Sequence, residues 1–184
     1  MSSRRFWENE QKMNSGGVWK SLEGNVNLGM NLEKYLFDAN EDRTRFDFES
    51  KGPNGAIKKM VMFDGMGQLK DGTQILNLGF GDANESHDGY NDNVTSNNAD
   101  RNKILATVAN TILDVMNHLG NAVIYAKGRT PARTRLYQMG INTHKAEIDD
   151  HLDIFGETPL GWENFRPGVN YSAFIATKKN YKIE

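Results

Sequence analysis

Three arginines crowd one short stretch of the chain, Gly128-Arg129-Thr130-Pro131-Ala132-Arg133-Thr134-Arg135. Thr130 followed by Pro131 predicts a helix start, because the hydroxyl caps a first-turn N–H and proline tolerates the first helical position. Guanidinium forks beside unpaired helix N–H groups make an anion site suited to a phosphate. Arg133 and Tyr137 lie four residues apart and so share a helix face. The competing reading pairs these arginines with the acidic stretch Glu147-Ile148-Asp149-Asp150. A second basic helix start lies upstream, at Arg101-Asn102-Lys103-Ile104-Leu105-Ala106. The four histidines form no metal motif; His144 and His151, near Glu147 and Asp150, read as surface residues, and no metal is expected. The run Asp82-x-Asn84-x-Ser86-x-Asp88-Gly89 alternates like a calcium loop, but its glycine is misplaced and no glutamate closes it. Gly79-Phe80-Gly81 reads as a bulge or a strand end.

Hydrophobic periodicity defines the elements that must position these groups. In Thr44–Ser50, Phe46 and Phe48 face one way and Arg45, Asp47 and Glu49 the other, as in a half-buried strand. The breaker cluster Gly52-Pro53-Asn54-Gly55 follows. Ala56–Phe63 is the next strand, with Val61 and Phe63 on one face and Met60 and Met62 on the other. A Gly/Asp loop (Asp64–Gly72) leads to the strand Gln74–Gly81, and residues 82–100 read as a long polar loop. Ile104, Leu105, Val108, Ile112, Val115, Met116 and Leu119 mark a helix over Asp100–Leu119. Asn97 or Asn98 is its expected cap, Asp100 suits its positive end, and Gly120 stops it. Ala122–Ala126 is a buried strand, the Thr130-Pro131 helix should end at Gly140, and a polar helical piece runs from Thr143 to His151. Leu152–Phe155 and Tyr171–Thr177 close the fold as strands. The order β-β-β-β-α-β-α-β-β predicts an α+β (mixed α/β) domain built on a single twisted mixed sheet. Gln74–Gly81 and Ala122–Ala126 should be its parallel neighbours, joined by a crossover helix.

At 184 residues the chain fits one domain with one core. Residues 32–184 are read as that domain, and residues 1–31 as a polar, glycine-containing extension. Phe6, Trp7 and Trp19 stand in the extension as candidate anchors, docking on the domain or on a protein partner. The chain has no cysteine, which excludes a disulfide scaffold and thiolate metal ligation. No apolar run approaches the ~20 residues that cross a bilayer, and the N-terminus has no apolar signal core, so a cytoplasmic protein without membrane contact is expected. With 22 basic and 24 acidic residues the net charge is -2, which argues for a local anion rather than a nucleic-acid track.

Two resemblances join these residues to known families. The runs S-N-N-A-D (96–100), I-L-A-T-V-A-N-T (104–111) and G-R-T-P-A-R-T-R-L-Y-Q-M-G-I (128–141) resemble an uncharacterised bacterial protein family. Over residues 74–178 the chain also resembles the GNAT acetyltransferase superfamily. There a Q/R-x-x-G-x-G/A turn opens a helix whose backbone N–H groups hold the CoA pyrophosphate. Arg101 and Ala106 match the first and last positions of that turn, and Ile104 stands at its middle glycine. The superfamily's N-x-x-A-x-x-L-Y-x-x-x-G-F pattern is met at Leu136-Tyr137, with Thr130 at its asparagine and Arg133 at its alanine, and Gly140-Ile141 stands one residue ahead of its Gly-Phe. The resemblance implies acetyl-CoA or CoA bound by Arg101, Asn102, Lys103, Ile104, Ala106, Thr130 and Arg133. It also implies that Tyr137 acts as the general acid toward the leaving thiolate. The plainer reading makes Tyr137 a packing residue of an amphipathic helix. Three functions are therefore in play: an acyl-CoA-dependent N-acyltransferase or a catalytically degenerate relative, a non-catalytic interaction or regulatory module, and a nucleotide or nucleic-acid binder.

Overall fold

The computed structural model describes residues 33–84, 86, 88–91 and 97–182. The extension 1–31, with Phe6, Trp7 and Trp19, lies outside the described residues. Twelve elements follow in order: β1 (Phe37–Ala39), β2 (Arg45–Gly52), β3 (Gly55–Gln68), β4 (Gln74–Ala83), β5 (Tyr90–Asn91), α1 (Arg101–His118), β6 (Ala122–Ala126), α2 (Pro131–Thr143), α3 (Lys145–His151), β7 (Leu152–Thr158), β8 (Gly161–Asn164) and β9 (Phe174–Lys178). The strands form one mixed sheet in the order β1-β2-β3-β4-β6-β9-β7-β8, with β5 paired to β4. The mixed α/β class and the single sheet agree with the sequence. β4 and β6 are the parallel pair, running from Gln74↔Ala122 to Leu78↔Ala126. All other pairings are antiparallel.

Register explains where the core sits. Phe63, Leu78, Ala126 and Phe174 form one row across four strands, and Leu76, Ile124, Ala176 and Ile154 form the next. Val108, Leu113, Val115 and Met116 of α1 and Ile148 of α3 join these rows in one buried cluster. The same face continues on β2, β3 and β4 as Phe46, Val61 and Phe80, then as Phe48, Lys59 and Asp82. That last row has passed the end of β6. Lys59 and Asp82 thus sit on the core side of the sheet beyond the end of β6, where Asp82 pairs with Asn91 of the short β5.

Several local expectations change. β3 runs on through the stretch read as loop, to Gln68, with a register shift between Gly65 and Gly67. Residues 64–68 are all exposed, so backbone pairing extends the strand with no buried face to announce it. Gly79 and Gly81 lie in regular register rather than in a bulge. Their missing side chains make room for the Tyr90 ring, which a Cβ at either position would strike. α2 continues through Gly140 to Thr143 because that glycine is packed against Leu105 of α1. The cap of α1 is Asp100, not Asn97 or Asn98, and its side chain makes no capping bond. Asn98 is buried instead, donating to Ser50 Oγ at 2.9 Å and to the Gly55 carbonyl at 3.0 Å. The short strands β5 and β8 add to the order expected from sequence, giving five strands before α1 and three after α3.

Candidate functional site

β4 continues from Gly79 to Ala83 beyond its last pairing with β6, and the chain leaving it returns as α1. This divergence opens a cleft of about 750 Å³. Phe80–Asp82 of β4, residues 97–100 and the first turn of α1 form one side. Arg133, Leu136 and Tyr137 of α2 form another, and Tyr35, Lys51 and Lys59 close the end.

The α1 terminus is built to leave its amides open. Ile104 N–H donates to the Asp100 carbonyl at 3.0 Å, so the helix ladder begins there. The amides of Arg101, Asn102 and Lys103 have no carbonyl one turn back to bond within the helix, and no side chain caps them. No acidic residue stands in this first turn; Arg101 and Lys103 do. Two cations on the positive end of a helix oppose its dipole, and the Asp100 carboxylate at the N-cap and Glu33, paired with Lys103, supply negative charge against them. Arg101 is exposed and has no ion-pair partner among the described residues. Ile104 packs on the core cluster while lining the cleft, so its side chain anchors the turn.

The Asp100 carboxylate is held from below. Its Oδ2 accepts from Tyr35 Oη at 2.8 Å and from Ser50 Oγ at 2.6 Å, while Oδ1 is buried without a partner. Burial pushes the Tyr35 phenol above its ordinary value, and the Asp100 carboxylate adds to that rise against the lowering bond from the Lys51 backbone. The Tyr35 ring stacks on Phe48 at 5.8 Å and carries the Lys103 ammonium 4.5 Å above its centroid. Lys103 in turn bonds Glu33 at 2.8 Å, which holds its ammonium above the usual lysine value. At the cleft end Lys59 is 3% exposed and paired with Asp82 directly across the β3–β4 ladder.

Of the residues singled out by sequence, Arg101, Asn102, Lys103, Ile104, Arg133 and Tyr137 line this one cleft. Ala106 is buried in the core one helical step below. Thr130 stands outside the cleft, its hydroxyl accepting from Arg133 N–H at 3.3 Å as the cap of α2. The arginine cluster divides: Arg133 reaches the cleft, whereas Arg129 and Arg135 are exposed away from it. Asp149 of the acidic stretch bonds Lys145 at 2.5 Å. Sequence reasoning missed Ser50, Lys59, Tyr35 and Asn98. Parity held the signal for two of them: Ser50 continues the Phe46–Phe48 face, and Lys59 continues the Val61–Phe63 face. Among the described residues no group of three or more His, Asp or Glu side chains is arranged to hold a metal ion. No helix among them is long and apolar enough to cross a membrane.

Fold and cleft together define a mixed-sheet α/β protein with a cleft at an uncapped helix terminus, where a strand runs on past its parallel neighbour. Residues 31–179 match the model of a family of unknown function, DUF6934, and the chain belongs to that family. No curated protein and no solved structure matches the chain.

Proposed function

We propose that the cleft binds CoA and that the protein is an acyl-CoA-dependent N-acyltransferase or a catalytically degenerate relative of one. The observation that carries this reading is the placement of the uncapped α1 terminus, with Arg101, at the mouth of a cleft opened by the divergence of β4 from β6. The amides of Arg101, Asn102 and Lys103 take the pyrophosphate, and the Arg101 guanidinium adds charge to those bonds. Isoleucine in place of the superfamily's middle glycine is accommodated in this reading because its side chain packs against the core cluster. Arg133 and Tyr137 face the same space from α2, where the pantetheine arm runs. In the transfer step an acceptor amine forms the C–N bond to the thioester carbonyl carbon and gives up a proton. The C–S bond breaks, and the departing thiolate takes the Tyr137 phenolic proton, which solvent then restores. Ala106 supports this turn from the core and Thr130 supports α2, so both act behind the ligand.

Calorimetric titration with CoA and acetyl-CoA tests the reading. Binding that Arg101→Ala weakens supports it; no heat at millimolar CoA ends it. The second reading, an interaction module, is favoured by Leu160, which is 99% exposed beside the exposed Trp162 at the β7–β8 hairpin.

A further inference from the structure

Beside the cleft lies a smaller, partly open space of about 80 Å³, lined by α1, α2, α3 and the core face of the sheet. Ala109 and Ile112 of α1, Ile141 of α2, and Ile124 and Ala126 of β6 line it. Leu105 and Tyr137 line both spaces and so form the partition between them. Interiors are normally packed without voids, and atoms facing a void lose their contacts. The walls here are nearly all apolar, so an alkyl group entering would displace no well-bonded water. Leu105 is packed closely on α2: a Cβ on Gly140 would come within 2.9 Å of Leu105 Cδ1.

We propose that this chamber receives the alkyl tail of the acyl group, which makes the preferred donor a short-to-medium-chain acyl-CoA rather than acetyl-CoA. The inference rests on the CoA reading above, which brings the thioester to Tyr137. From there the carbons beyond the carbonyl pass between Leu105 and Tyr137 into the chamber. A cavity of roughly 150 Å³ takes a benzene ring, so this smaller one has room for about three or four carbons.

The test is calorimetric titration of the full chain with CoA and with acetyl-, butyryl-, hexanoyl- and decanoyl-CoA. Affinity is expected to rise roughly fourfold per added methylene, the equivalent of about 0.8 kcal/mol, and to level off once the chamber is full. Ala109→Leu fills the chamber and is expected to abolish that rise. Equal affinity for CoA and every acyl-CoA overturns the chamber and leaves the CoA reading standing. A rise that continues undiminished to decanoyl-CoA also overturns it, because the tail then lies on an open surface. Failure of every member to bind overturns both. Should Ala109→Leu not fold, the chain-length series on the unsubstituted protein decides alone.

Discussion

Lys59 puts an ammonium where the sheet pattern calls for an apolar side chain, and Asp82 opposite it neutralises that charge. Removing one member of a buried pair strands the other, at a typical cost of about 3–5 kcal/mol. Lys59→Met is therefore expected to lower the unfolding free energy by about 3 kcal/mol, toward the low end because Asp82 keeps some solvent contact. Lys59→Met combined with Asp82→Leu should recover most of that loss. Urea unfolding of the single and double variants measures both, and an equally unstable double variant would contradict the account. Arg101 carries a prediction of the opposite kind, since it is exposed and supports no packing. Arg101→Ala should leave stability unchanged and weaken CoA binding by about 1.5–3 kcal/mol, the worth of a charged hydrogen bond. Tyr137→Phe should spare binding and slow turnover, because the ring that packs on the core is kept and only the acidic hydroxyl is lost.

The two helices that flank the cleft are seated by different means. α1 is tied through its sides: Tyr35 N–H donates to Thr107 Oγ1 at 2.9 Å and Lys34 Nζ to Asn110 Oδ1 at 3.1 Å, pinning the chain before β1 along the helix. α2 is seated at its end. Gly128 N–H donates to Thr134 Oγ1 at 3.1 Å, and the backbone passes so close that a Cβ on residue 128 would overlap the Thr134 amide. Gly128→Ala must therefore push the start of α2 away, at an expected cost of about 2 kcal/mol for overpacking. Because Arg133 and Tyr137 ride on that helix, the same substitution should weaken CoA binding. Thr130→Ala removes only the cap and should cost about 1 kcal/mol. A Gly128→Ala protein with unchanged stability and unchanged CoA affinity would show that α2 is not set by this contact.

Across the whole molecule the last residues close the sheet onto its far loops. Tyr181 Oη donates to Asp71 Oδ2 at 2.7 Å, and Asp153 bonds Lys179 at 2.9 Å and accepts from Asn180 N–H at 2.8 Å. The Tyr181 hydroxyl, with the Thr73 groups, holds the Asp71 carboxyl below its ordinary range. Burial pushes Asp153 up, but the Lys179 ammonium and the Asn180 amide outweigh it and leave that carboxyl lowered too. A carboxyl depressed in the folded state adds stability that is fully present above its unfolded pKa, about 3.9 for aspartate. That stability is lost as pH falls through the folded value. Stability should thus hold from neutral pH down to about 4 and drop below it. Asp71→Asn combined with Asp153→Asn should lower stability at pH 6 and flatten the drop, read as urea midpoints at pH 6 and pH 3. An unflattened drop would place the acid sensitivity elsewhere, for example at Glu163, which Arg166 and then Tyr171 hold low.

The repeating patterns were legible in the sequence because burial imposes them residue by residue. Phe46 and Phe48, the run Ala122–Ala126 and the stripe from Ile104 to Leu119 each show their period directly, and with them the mixed sheet, its parallel pair and the crossover helix. Arg101 and Tyr137 are candidates through the GNAT resemblance, whose motif positions fall on a helix start and a helix face, both local properties. What could not be read is whatever depends on a distant partner. Backbone pairing alone extends β3 to Gln68, Gly140 answers to Leu105, and the side chain of Asp100 turns to Tyr35 and Ser50 instead of capping its own helix. The cleft belongs to this second class. It exists because β4 outruns β6, and the polar row of Lys59 and Asp82 is placed by register between strands. A sequence displays the period of each element, whereas the relative lengths and registers of neighbours are decided only when the elements pack.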